Sequence, residues 1–150
     1  MIATNLLFIL SWLVFNSSTL FAQIDYQKLS KEELVSAPVE VAEQLANTML
    51  TAQKSGQPYI LQESEATPAV RGELTTDKQL QTYSAIRELF GDYQSVTFEE
   101  AYRTTNSPAY YIFRFRGKFE RDNAQPEVRV VMNEDGQLAG FSIVPWEDNL

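Results

Sequence analysis

Two adjacent carboxylates in a segment that alternates like a β-strand are the residues best placed to do chemistry. Glu99 and Glu100 stand in YQSVTFEEAYR, where Val96, Phe98 and Tyr102 are predicted to share one apolar face. Because neighbouring side chains of a strand point to opposite faces, Glu100 is expected on the side of those apolar residues. Burial there would raise the pKa of Glu100, which suits a general base or an acid that grips a ligand.

Tyrosine hydroxyls are the polar groups expected beside this carboxylate, within a pocket walled by aromatic rings. The candidates for that pocket are Glu100, Tyr83, Tyr102, Tyr111, Phe113 and Phe115. A carboxylate base with a tyrosine donor would allow the chemistry of a small isomerase or dehydratase. Two other arrangements stay open: a β-bulge that turns both glutamates outward, or a position for Glu100 in water at the mouth of the pocket.

Aromatic and basic residues interleave in YYIFRFRGKFE (110–120), a composition that also occurs in nucleic-acid-binding strands. Strand alternation separates the two kinds of residue, because the rings share one face and the cations the other. We therefore expect the rings to line the core and the cations to face water or a second subunit. The residues predicted to form a homodimer interface are Tyr110, Ile112, Arg114 and Arg116. One cross-strand register places Arg114 opposite Glu99.

The overall charge and two absent residue types exclude several function classes. The chain has 150 residues with 12 Lys and Arg against 20 Asp and Glu, a net charge of -8 that argues against nucleic-acid partners. It contains no Cys and no His, so disulfides, thiolate nucleophiles and histidine-dependent triads are excluded. We expect no metal site and no cofactor.

The N-terminus has the pattern of a secretory signal peptide. LLFILSWLVF (6–15) is an apolar run too short to span a membrane, which takes about 20 residues. The expected cleavage site lies between Ala22 and Gln23, and a retained N-terminal anchor is the alternative. Export without cysteine is typical of bacterial periplasmic or secreted proteins, so we expect that location, with no stable membrane anchor after cleavage.

Helical patterns occupy the first half of the mature chain. SKEE (30–33) fits a capping box, and a longer helix is predicted to begin near Pro38. Its apolar stripe consists of Val41, Ala42, Leu45, Ala46, Met49 and Leu50. A brief helix is predicted near 68–71. Another runs from Asp77 to Phe90 with Thr76 as its cap, and its apolar face holds Leu80, Tyr83, Ile86, Leu89 and Phe90.

From residue 93 the apolar period changes to two, which indicates strands. We predict strands at 93–103, 110–120, 128–132 and 137–146, with NEDG (133–136) as a hairpin turn. Short turns between them favour an antiparallel meander whose apolar face the helices cover. The predicted class is therefore α+β, with N-terminal helices packed on a curved four-stranded sheet.

Three residues near the C-terminus have predicted structural roles. Gly136 serves the hairpin turn, and Gly140 marks a bulge or a close approach of two backbones. Trp146 follows Pro145, and we expect its ring to pack against the domain; a ring that faces a partner is the alternative.

The order of helices and strands, with LFGDYQSV and EDGQLAGFSIVP, resembles the nuclear transport factor 2-like (cystatin-like) superfamily. The second motif is similar to that family's closing strand, DGKxxGxxxxP. The resemblance covers 38–146 and implies a cone-like sheet around a helix, with a conical pocket. Together with the expected signal peptide (1–22), it leaves an N-terminal segment (23–37) before the domain (38–146) and a tail (147–150) after it.

The resemblance implies a scaffold and leaves the activity open, since members include isomerases, dehydratases and non-catalytic modules. Because the chain has no His, it cannot use the His-Asp pair found in some members of the superfamily. We therefore expect an exported, non-catalytic binding or dimerisation module with a small-molecule ligand. The alternative is a small isomerase or dehydratase that uses Glu100 with a tyrosine.

Overall fold

The protein is an α+β domain in which helices cover one face of an open antiparallel sheet. The structure, a computed structural model, describes residues 25–121 and 125–150. The predicted signal peptide (1–22) and its cleavage site between Ala22 and Gln23 lie outside the described residues. In the described part of the chain, no helix is both long and apolar enough to cross a membrane.

Apart from a short first strand, the elements follow the predicted order, helices first and the meander later. Their bounds are Tyr26–Lys28 (β1), Lys31–Leu34 (α1), Val39–Lys54 (α2), Pro68–Glu73 (α3), Thr76–Phe90 (α4), Tyr93–Thr104 (β2), Tyr110–Phe119 (β3), Glu127–Asn133 (β4) and Leu138–Val144 (β5). The brief helix α3 and the hairpin turn between β4 and β5 are both confirmed. The prediction of Thr76 as a cap is one residue off, because Thr75 caps α4.

The sheet has five strands in the order β1-β2-β3-β4-β5, so the prediction of four was wrong. The missed strand is β1, which pairs antiparallel with the end of β2, Tyr26 opposite Thr104 and Lys28 opposite Tyr102. Three residues are too few to show an alternating pattern. The segment 23–37, predicted to precede the domain, thus contributes an edge strand to its sheet.

Local capping explains where the helices begin. Ser30 and Glu33 form the predicted capping box: the Glu33 amide donates to Ser30 Oγ at 3.3 Å, and the Ser30 amide donates to Glu33 Oε2 at 2.8 Å. Thr67 and Thr75 accept the same kind of bond at the starts of α3 and α4.

Most residues of the predicted helical stripes are buried, Leu89 and Phe90 are partly buried, and two residues are exposed. Ala42, Leu45, Ala46, Met49 and Leu50 of α2 face the sheet. Val41 was also assigned to this stripe but is 51% exposed, and Leu80 of α4 is 38% exposed. Each lies at the margin of its apolar stripe, where helical spacing alone does not distinguish core from surface.

The core is built mainly on the rings of β3, as the alternation predicts. Phe113, Phe115 and Phe119 are buried, and Tyr111 packs partly against them. Phe119 is bracketed by Phe90 and Tyr93, at ring-centroid distances of 5.8 and 5.6 Å. The aromatic face of YYIFRFRGKFE therefore belongs to the hydrophobic core under α2.

Gly91 ends α4 and allows the chain to turn directly into β2. Its φ of 79° and ψ of -168° are accessible almost only to glycine. A Cβ at this position would lie 2.6 Å from the Cβ of Glu120. Glu120 can approach this closely only because residue 91 has no side chain.

We predict opposite effects of the same substitution at two glycines. Gly91→Ala should lower the free energy of unfolding by about 1–3 kcal/mol through backbone strain and the clash with Glu120. Gly72→Ala, inside α3 with open space around it, should raise the free energy by about 0.5–1 kcal/mol. Urea denaturation of both variants measures this difference, and equal unfolding free energies would contradict the assignment of Gly91.

Candidate functional site

A β-bulge in β2 determines where the two adjacent glutamates lie. The pairing shifts between Phe98, opposite Phe115, and Glu100, opposite Arg114. The extra residue, Glu99, makes both carboxylates face the side of the sheet away from the helices. The expectation that Glu100 lies among the core residues is therefore wrong, and the bulge is the alternative that the structure adopts.

Glu100 is directly opposite Arg114, so the predicted pairing of Arg114 with Glu99 is also wrong. Arg114 Nη1 lies 2.5 Å from Glu100 Oε1, and Arg114 Nη2 lies 2.7 Å from Glu127 Oε2. Glu99 instead accepts from Arg116 at 3.2 Å. The side chains of Arg114 and Glu127 have no solvent exposure, so they form a buried ion pair within a single sheet face.

Further polar groups complete this cluster of charges on the outer face of the sheet. Lys28 of β1 donates to Glu100 Oε2, and the Tyr102 hydroxyl donates to Glu100 Oε1 at 3.1 Å. Arg129 donates to Glu127 Oε1 at 2.6 Å, which compensates for its position directly opposite Arg114. Each carboxylate oxygen of the pair thus has a donor, as buried charges require.

The C-terminal segment covers the cluster. After β5 the chain returns across the outer face, and the Glu147 carbonyl accepts from Arg114 Nη2 at 2.5 Å. The Trp146 ring lies 4.3 Å from the guanidinium carbon of Arg114 and 3.9 Å from that of Arg116. Trp146 therefore packs against the domain as expected, through cation–π contacts.

The charges control the acidity of both glutamates. Burial alone would raise the pKa of Glu100, but hydrogen bonds from Lys28, Arg114 and Tyr102 outweigh burial and lower it. For Glu127, burial is likewise opposed by hydrogen bonds from Arg114 and Arg129, and the net effect again lowers the pKa. The predicted rise in the pKa of Glu100 is therefore wrong, and Glu100 stays ionised and paired at neutral pH.

The residues predicted to form a pocket with Glu100 lie on both sides of the sheet. Only Tyr102 contacts Glu100, because Tyr111, Phe113 and Phe115 belong to the core on the helix side. Tyr83 accepts from the Tyr93 amide at 3.1 Å and donates to Asp92 at 3.3 Å, which ties α4 to the start of β2. These rings do not assemble a pocket around the carboxylate.

The predicted interface residues differ in their exposure. Ile112 and Arg114 are buried within the chain, which leaves them no surface to offer a partner. Tyr110 and Arg116 are partly exposed, and Arg116 is occupied by Glu99 and Trp146. The centre of the outer face is therefore occupied by ion pairs within the chain, and only its margin is exposed.

An open groove of about 230 Å³ lies on the other side of the sheet, between α2, the segment 59–65 and the β4–β5 hairpin. It is lined by Val41, Gln44, Leu45, Thr48, Tyr59, Ser64, Glu65, Met132 and Gly136. The four α2 residues follow helical spacing and form one wall of the groove. Val41, which is exposed, is part of this wall. The lining combines an apolar floor with hydroxyl, amide and carboxylate groups.

Backbone bonds hold the wall that carries Glu65. Ala66 pairs in parallel with Leu138: the Leu138 amide donates to the Glu65 carbonyl at 2.7 Å, and the Thr67 amide donates to the Leu138 carbonyl at 2.9 Å. The Gln137 side chain donates to the Glu63 carbonyl at 2.9 Å. The segment before α3 is thus joined to β5 by an isolated β-bridge.

Side chains fix the acidic end of the groove. The Tyr59 hydroxyl donates to Glu65 Oε1 at 2.6 Å, and the backbone amide of Gln62 donates to Glu65 Oε2 at 2.9 Å. The hydrogen bond to Glu65, together with burial and the negative charge, raises the pKa of Tyr59, which therefore remains a donor. Buried Gln79 donates to the Tyr59 carbonyl at 2.8 Å and holds this residue against α4.

The groove was not predicted, although PYILQESEATPAVRGEL contains three of its polar residues, Tyr59, Ser64 and Glu65. A carboxylate three residues after Gln62 is a weak signal for a local turn, but the groove depends on the distant pairing of Ala66 with Leu138. Among residues 25–121 and 125–150, no group of three or more Asp or Glu side chains is arranged to hold a metal ion.

Comparison of the chain with protein-family models, with curated proteins and with solved structures finds no match.

We predict that the buried carboxylate matters far more for stability than its exposed neighbour. Glu127→Gln should lower the free energy of unfolding by about 3–5 kcal/mol, because it leaves the charge of buried Arg114 without its main partner. Glu99→Gln, the matched change at the exposed pair with Arg116, should cost at most about 1 kcal/mol. Urea denaturation compares the two, and similar losses would contradict the buried ion pair.

The pH dependence of stability tests whether Glu100 is a paired carboxylate or a general base. Because pairing lowers the pKa of Glu100, its contribution is fully present above about pH 4.3 and is lost as the pH falls further. The unfolding free energy of the wild type should therefore fall relative to that of Glu100→Gln on acidification below this value. A wild type that instead gains relative stability between about pH 7 and 5 would indicate the raised pKa of a base.

Proposed function

We propose that the protein is an exported, non-catalytic binding module whose ligand occupies the groove between α2, the segment 59–65 and the β4–β5 hairpin. The observation that carries this proposal is the lining of the groove, which combines apolar residues with the carboxylate of Glu65. Two hydrogen bonds, from Tyr59 and Gln62, hold this carboxylate in place. Ligand sites commonly combine such an apolar floor with a few positioned polar groups.

The pairing of Glu100 supports a non-catalytic role over the isomerase or dehydratase alternative. A general base needs a free lone pair and a pKa near the working pH. Glu100 instead accepts from Lys28, Arg114 and Tyr102, which lower its pKa. Glu100 and Tyr102 are therefore structural members of the cluster of charges under Trp146.

Three earlier expectations remain part of the proposal. The apolar run at 6–15 supports export to the periplasm or the medium. The order of helices followed by an antiparallel meander is compatible with a nuclear transport factor 2-like, cone-like domain. A homodimer through the outer face would have to use its exposed margin, including Tyr110, because Ile112 and Arg114 are buried.

We predict that filling the groove abolishes ligand binding without affecting the fold. Thr48→Trp places a large ring in the groove, whereas Thr51→Trp makes the same change at an exposed α2 residue outside the lining. A mixture of small amines, alcohols and carboxylates can be screened by saturation-transfer NMR. Signals that disappear with Thr48→Trp and persist with Thr51→Trp are expected. Binding that both variants retain would place the site elsewhere.

A further inference from the structure

We infer that the groove selects a cationic head group, an ammonium or guanidinium, carried on a short apolar stem. This inference rests on the proposed function, because it names the ligand class of the same groove. Three features of the groove carry it: the free capacity of one carboxylate, the chemistry of the floor, and the sign of the surrounding charge.

Glu65 has acceptor capacity that its own neighbours leave unused. A carboxylate offers about four lone-pair positions, and Tyr59 and Gln62 occupy one on each oxygen. Within the described ranges, no Lys or Arg forms a salt bridge with Glu65. In this respect it differs from Glu100 and Glu127, whose charges are neutralised inside the protein.

The remaining lining suits the stem of such a ligand. Val41 and Leu45 supply apolar surface beside the carboxylate, over the fully buried Met132, and the Tyr59 ring adds a surface that attracts cations. A volume of about 230 Å³ is below the ~300–1,000 Å³ of sites for drug-sized ligands, so the stem must be short. Thr48 and Gln44 on α2 offer further hydrogen-bonding groups opposite Glu65.

The charge beside the groove on the side of the hairpin is negative. Asp135 precedes the lining residue Gly136, while Glu134 is paired with Arg103 and Glu63 with Arg71. No Lys or Arg is among the lining residues. Together with the net charge of -8, this distribution attracts cations and repels anions. A single fixed carboxylate favours an organic cation over a divalent metal, which needs several oxygen ligands.

Three probes of equal length test the charge preference: 1-aminopentane, 1-pentanol and pentanoate, with dissociation constants measured by ligand-observed NMR. The amine should bind at least about fivefold more tightly than the alcohol, because it gains a charge-assisted hydrogen bond. Glu65→Gln should remove this preference, whereas Glu63→Gln, at an exposed residue outside the lining, should preserve it.

A second variant does not depend on changing the carboxylate. Gln44→Lys places a cation in the groove from an exposed helical position and should weaken binding of the amine at least about fivefold. A further probe, lysine acetylated on its α-amine and amidated at its carboxyl group, distinguishes two sources of the head group in the wild-type protein. If this compound binds, the ligand is a lysine side chain of a peptide; if only 1-aminopentane binds, the ligand is a free amine. Both outcomes keep the cationic preference.

The possible failures are distinguishable. If the alcohol or pentanoate binds as tightly as the amine and Glu65→Gln has no effect, the cationic preference is wrong while the groove remains the site. If the binding of every probe is insensitive to Thr48→Trp, the proposed function itself is wrong.

Discussion

The buried ion pair between Arg114 and Glu127 is the interaction on which the outer half of the molecule depends. Two charges without solvent exposure require partners, and the chain supplies Glu100, Arg129 and the Glu147 carbonyl, while Nε of Arg114 has no hydrogen-bond partner in the described part of the chain. These partners come from β2, β4 and the C-terminal segment, so one guanidinium links three distant parts of the sequence. The bulge at Glu99 is needed because it brings Glu100 to the same face.

The sheet therefore separates two kinds of carboxylate. On the outer face, Glu100 and Glu127 are neutralised by cations and covered by Trp146, which gives them a structural role. On the helix side, Glu65 is held by two neutral donors and opens onto a groove. The glutamates that suggested chemistry in the sequence lie on the outer face, and the groove proposed as the ligand site lies on the helix side.

Sequence patterns predicted the parts of this fold that depend on local spacing. The stripe of α2, the capping box at Ser30 and the alternating faces of β3 each follow from residues close together in the chain. The bulge could not be predicted as the preferred arrangement, because strict alternation of side chains along β2 places Glu100 on the helix side of the sheet and not on the outer face. The burial of Arg114 depends on Trp146, and the groove depends on the pairing of Ala66 with Leu138. Both contacts join distant residues and leave no periodic signal.

Amide chemical shifts provide the most direct test of this division between a structural face and a binding face. Uniformly ¹⁵N-labelled protein, titrated with 1-aminopentane, reports on both faces in one experiment. The predicted result is a set of shifted amides around the groove, at Thr48, Ser64 and Gly136. Shifts confined to the outer face, around Glu100 and Arg116, would contradict the assignment and return the binding site to the charged cluster.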